Sequence, residues 1–152
     1  MERILRTEVI ANAYMLIAKA SYKDLSDEDK VRLWKISRLI KPTAVQYIED
    51  KADAMKNLLT PEFSEAFREV QKYKQNYEQG KEQSITPEEH EKYAEIIKQT
   101  DTLMEKTIGE LADKELTVAF EPLSEEALAK LITGNNWEFS KTGCLEWMLE
   151  DN

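Results

Sequence analysis

Apolar residues recur along this chain at intervals of three and four, the spacing that gathers side chains on one face of a helix. Between Thr7 and Ser21 the residues Val9, Ile10, Ala13, Tyr14, Leu16, Ile17 and Ala20 form a first such stripe. A second and longer one runs from Ser26 to Leu59 through Val31, Trp34, Leu39, Ala44, Val45, Ile48, Ala52, Met55 and Leu59, with Leu33, Ile36 and Ile40 as a flank. Ser26 ahead of Asp27, Glu28 and Asp29 is a strong start signal, because the hydroxyl accepts from free backbone N–H groups and the acids complement the helix dipole. Pro42 lacks an N–H and disturbs the pattern. The stripe resumes in phase at Val45 and Ile48, which favours a kink over a break. At about 1.5 Å per residue such a helix is roughly 50 Å long, so other helices must lie beside it.

Thr60-Pro61-Glu62 sets a cap before a proline at the first helical position, so either a new helix opens there or the long one bends. Phe63, Phe67 and Val70 keep helical spacing. The polar stretch from Gln71 to Ser84 around Gly80 reads as the tip of a helical hairpin, mobile near 78–86. Thr86-Pro87-Glu88-Glu89 is the clearest start signal, since Thr86 and Glu89 can close a capping box. The helix it opens carries Tyr93, Ile96, Ile97, Thr100, Leu103, Met104, Ile108 and Leu111 to about Asp113. Its stripe is expected to zip against that of the Ser26–Leu59 helix.

After residue 114 the period changes. Leu116, Val118 and Phe120 alternate with Thr117 and Glu121, a half-buried strand over 116–121. Its partner is open to Trp137–Phe139, to the N-terminal residues Glu2–Leu5, or to another chain. Ser124 caps a short helix through Leu128, Leu131 and Ile132, Gly134-Asn135-Asn136 turns, and Leu145 to Leu149 form a last helical turn or two. The expected fold is mostly α: a long antiparallel helical hairpin or bundle over 1–114, with a small C-terminal α+β appendage over 115–152 packed on it.

Composition sharpens this. The 152 residues are 41% hydrophobic and 34% charged, with four Gly and four Pro, which disfavours a turn-rich β-sandwich. A net charge of −9 argues against direct nucleic-acid binding, which needs a basic patch. Residues 1–60 carry 11 basic and 9 acidic side chains, whereas residues 61–152 carry 10 and 21, a balance of −11. Cys144 is the one cysteine, so no disulfide forms within the chain, and the opening residues lack a signal-peptide pattern. A cytoplasmic or virion-associated protein without membrane contact is expected.

Candidate chemistry is sparse. His90, the one histidine, cannot supply a two-histidine zinc motif, and acids beside it are normal at a helix start. It reads as an exposed polar residue. Cys144 has only His90 as a conceivable base and reads as a semi-buried thiol. No catalytic residue, cofactor or metal is assigned, and no enzyme is expected. Trp137, Phe139, Trp147 and Met148 have two readings, the core of the appendage or part of a protein-interaction surface.

Three segments resemble a family of small phage and prophage proteins of uncharacterised function. Ile10-Ala11-Asn12-Ala13-Tyr14 to Leu16, with Asp29-Lys30-Val31 and Ile36 to Lys41, is similar to its first two helices. Glu115 to Leu123 is similar to its acidic and apolar strand, and Leu145-Glu146-Trp147-Met148-Leu149-Glu150 resembles its C-terminus. The resemblance implies a phage-related role and brings no catalytic residues. The expectation is a structural or assembly protein that binds virion or assembly proteins and can self-associate. The alternative is an acidic inhibitor, a DNA mimic of a mobile element, and a metal-dependent or cysteine enzyme stands third.

Overall fold

The strand after residue 114 finds its partner at the other end of the chain. In the computed structural model, which describes residues 1–151, Glu2–Arg6 (β1) pairs antiparallel with Glu115–Ala119 (β2) in a two-stranded sheet. The register sets Arg3 against Val118 and Leu5 against Leu116, and Phe120 N–H donates to Met1 O at 2.9 Å. Of the three partners open to the sequence, the N-terminal one is used.

Among the described residues five α-helices complete a mostly α fold: Thr7–Ile17 (α1), Asp27–Leu58 (α2), Pro61–Glu78 (α3), Pro87–Asp113 (α4) and Glu125–Gly134 (α5). Two 3-10 turns, Phe139–Lys141 and Gly143–Met148, stand near the C-terminal end. The starts are those the caps dictate. Ser26 Oγ accepts from Asp29 N–H at 3.2 Å, Thr60 Oγ1 from Phe63 N–H at 3.2 Å and Ser124 Oγ from Ala127 N–H at 3.1 Å. The capping box closes in both directions, Glu89 N–H to Thr86 Oγ1 at 3.1 Å and Thr86 N–H to Glu89 Oε1 at 3.3 Å. α2 continues through Pro42 as one helix, and α3 begins afresh at Pro61. Gly80 takes a left-handed backbone, φ 66°, where the chain turns after α3.

Two compact units divide the chain differently from a cut at residue 114: 1–49 with 111–152, and 50–110. In the first unit the last forty residues share a core with the first fifty. Ile10 and Ile17 of α1, Leu33, Ile36 and Ile40 of α2, Val118 of β2, Leu131 of α5 and Met148 belong to one buried cluster. Each such aliphatic side chain contributes about 1.5–3 kcal/mol on leaving water. α1 grows directly from β1, tied by Thr7, whose N–H and hydroxyl both donate to Lys114 O at 2.8 and 2.6 Å. Asn135 fixes the loop after α1, its amide donating to Ser21 O at 2.9 Å while its oxygen accepts from Ser21 N–H at 2.7 Å.

The second unit is built otherwise. Among the described residues Ala66 is its one buried apolar side chain, and Phe63, Tyr73, Tyr93, Ile96, Ile97 and Met104 are half-buried. The partner of the first half of α4 is α3. Tyr73 stacks on His90 with ring centres 4.0 Å apart, and Gln83 Nε2 donates to Tyr73 O at 2.9 Å. The Tyr93 phenol is pushed up by burial and then by Glu65 and Glu69 of α3. The hairpin around Gly80 is therefore closed by α3 against the first half of α4. A short helix with few apolar residues still closes a local hairpin because it is adjacent in the chain.

Candidate protein-interaction surface

The long helix carries two apolar stripes, and the fold buries the one that is the minor flank in sequence. Leu33, Ile36 and Ile40 of that flank are buried, joined by Tyr47 and by Ala44 of the main stripe, while Val31 is 50% exposed, Trp34 53%, Leu39 44% and Ile48 41%. This corrects the assignment of Val31, Trp34, Leu39 and Ile48 to the inward face. Val31, Trp34 and Ile48 share one side of the helix, about a third of a turn from the Leu33 set at 3.6 residues per turn, and Leu39 flanks that set on its other side, so period alone cannot rank them. α1, β2 and α5 contribute side chains to the same cluster as the Leu33 set and decide the matter.

The exposed stripe has a basic flank. The Arg38 guanidinium lies 5.3 Å from the Trp34 ring centre, a cation–π contact that holds the indole on the surface. Lys35 and Lys41 share that face and are exposed. Arg32, one turn nearer the start, is engaged by Glu28 at 2.7 Å, Asp29 at 3.4 Å and Glu121 at 3.4 Å. Lys35, Ile36 and Leu39 face Ala119, Phe120 and Glu121 across a cleft of about 290 Å³.

The four C-terminal residues singled out from sequence separate. Met148 is fully buried, Trp147 is 9% exposed and Trp137 packs on the core from its edge, but Phe139 is 82% exposed. Trp147 meets Phe120 edge-on at 5.1 Å. Its Nε1 is buried without an acceptor among the described residues, a cost of about 1–3 kcal/mol. The ring's packing offsets that cost, which marks Trp147 as a core residue. Phe139 is the one of the four that stands in solvent.

His90 is half-buried under Tyr73 and not a freely exposed polar residue. Cys144 is half-buried, its Sγ lies 3.7 Å from Lys141 O, and burial raises the thiol above its ordinary pKa. A raised thiol is protonated near neutrality and a poor nucleophile. Among the described residues no three His, Cys, Asp or Glu side chains gather as a metal site would require, and no helix is long and apolar enough to cross a membrane. No family model, curated protein or solved structure matches the chain.

Proposed function

We propose that the protein is a non-enzymatic component of phage or prophage origin, structural or assembly-related, that acts by binding virion or assembly proteins in the host cytoplasm or the virion. The observation that carries this is the exposed stripe on α2, where Val31, Trp34 and Ile48 stand in solvent although Trp34 alone is a costly residue to leave wet. Lys35, Arg38 and Lys41 flank it, so the partner surface is apolar with an acidic border. Trp and Arg are both residue types enriched among the energetic anchors of interfaces. The alternative, an acidic DNA mimic, calls for carboxylates in unbroken rows. On α4, Glu91, Glu95, Asp101 and Glu105 interleave with Lys92, Lys98 and Lys106, which supports the protein-binding reading over it.

The test is co-expression with the products of the genes flanking its own. A head or tail component should co-elute with the chain, and Trp34→Glu with Ile48→Glu should abolish co-elution while leaving the far-UV spectrum unchanged. Flanking genes unrelated to phage assembly, or a complex indifferent to both substitutions, would overturn the proposal.

A further inference from the structure

The two-stranded sheet leaves the outer edge of β1 open, and its chemistry is self-complementary. Met1 exchanges hydrogen bonds with Phe120, and Thr7 N–H donates to Lys114 O, which places the backbone groups of the odd-numbered residues toward β2. By the alternation of an antiparallel ladder, the N–H and C=O of Glu2 and Ile4 and the N–H of Arg6 point outward. Among the described residues nothing pairs with those of Glu2 and Ile4. The Arg6 carbonyl belongs to the first turn of α1, for which Arg6 is the cap. The side chains of these three residues are exposed, Ile4 by 69%.

We propose that β1 pairs antiparallel with β1 of a second copy of this chain about a two-fold axis at Ile4, giving a four-stranded sheet in the order β2-β1-β1-β2. That register is the one in which outward-pointing residues meet outward-pointing residues. Ile4 exchanges two backbone hydrogen bonds with its counterpart, and each Arg6 N–H donates to a Glu2 carbonyl. On the solvent face Ile4 packs on Ile4, and each Glu2 carboxylate meets an Arg6 guanidinium across the seam. Asp113 and Glu8 engage Nε and Nη2 of Arg6 within the chain, and Nη1 is left for Glu2 of the second copy.

Charged residues on a short edge strand commonly guard it against pairing. Here they do the opposite, because residues 2 and 6 carry opposite signs and an antiparallel copy brings them together. The outer edge of β2 lacks this property: pairing about Thr117 would set Glu115 against Ala119. One five-residue strand makes a small interface, so the dimer is a weak one with Kd of roughly 10 µM to 1 mM. The inference goes beyond the proposed function, since α2 can hold its partner whether or not β1 pairs.

The experiment is sedimentation velocity of the full chain across that same range, about 10 µM to 1 mM. The expected result is a monomer–dimer equilibrium that Glu2→Arg weakens about tenfold or more, by turning both cross-seam pairs into like charges. Arg6→Glu should weaken it similarly. An equimolar mixture of the two variants should recover a dimer, because a strand positive at both positions then faces one negative at both. That recovery also shows that neither variant has merely unfolded. A chain monomeric throughout, a dimer untouched by Glu2→Arg, or a mixture that stays monomeric overturns the proposal. A dimer that persists in Trp34→Glu, after co-elution with a virion component is lost, separates this outcome from that of the α2 surface.

Discussion

The two units of this chain solve the problem of burial in opposite ways. In residues 1–49 with 111–152, segments more than a hundred positions apart in sequence converge, and whole side chains of Ile10, Leu33, Ile36, Leu123 and Leu145 leave water. In residues 50–110, neighbours in sequence lie beside one another, and among the described residues no apolar side chain but Ala66 is fully buried. Burial from distant segments demands more loop closure but returns more energy per side chain. Local pairing is entropically cheap and yields a hairpin whose ring contacts, Tyr73 on His90 and Phe63 on Phe67 at 6.1 Å, sit near its surface. The core-rich unit is thus expected to dominate the stability of the chain, and the hairpin to open first.

A matched pair of truncations measures the difference between the two units. Leu33→Ala should cost about 3 kcal/mol in urea unfolding, whereas Ile97→Ala, at a half-buried position, should cost about 1 kcal/mol or less. Equal losses would mean that the hairpin is as tightly packed as the core. Next in size, Thr86→Ala removes one half of the capping box and should cost about 1 kcal/mol. Amide exchange should quicken over the first turn of α4 while the amides of α5 are unaffected; a uniform change would show the two units to unfold as one. Trp34→Ala deletes the cation–π contact with Arg38 and the packing of a half-exposed ring, so its effect on stability should stay at about 1 kcal/mol, well below that of Leu33→Ala. A larger loss would place Trp34 in the core after all.

The smallest effect is alkaline. Burial raises the phenols of Tyr22 and Tyr47 above 10.0, with Glu8 adding to the second. The fold therefore prefers the neutral phenol. That stability is complete below the unfolded value of 10.0 and fades as the pH rises through the folded values. Unfolding midpoints should fall above pH 10.0, and Tyr22→Phe should flatten the decline despite losing the hydroxyl's 3.0 Å bond to Ile17 O. Unaltered pH dependence in that variant would count against the burial of Tyr22 as the cause.

Helix starts are readable because they are written in adjacent residues. Ser26, Thr60, Thr86 and Ser124 each reach an N–H three positions on, and no tertiary contact is needed to know it. β1 is harder. Glu2–Arg6 is short and mixes charge with apolar residues, so by sequence it is one of three partners for β2, and only the ladder selects it. The surface is hardest. Trp34 and Ile48 look like core by composition and by period, and Trp147 looks as available for a partner as Phe139 does. What separates them is which face the neighbouring elements cover.

The amino-acid order alone settled the helical class, the capping signals, the turn at Gly80 and the strand beyond residue 114, since each rests on interactions within a few positions. Tertiary structure alone decided which stripe of α2 is buried, that the chain's two ends share a sheet and a core, and that α3 is the partner of α4 at the hairpin. Those choices depend on which distant surfaces meet. A helix with two apolar stripes of equal period offers both to its neighbours, and only the neighbours' shape selects one.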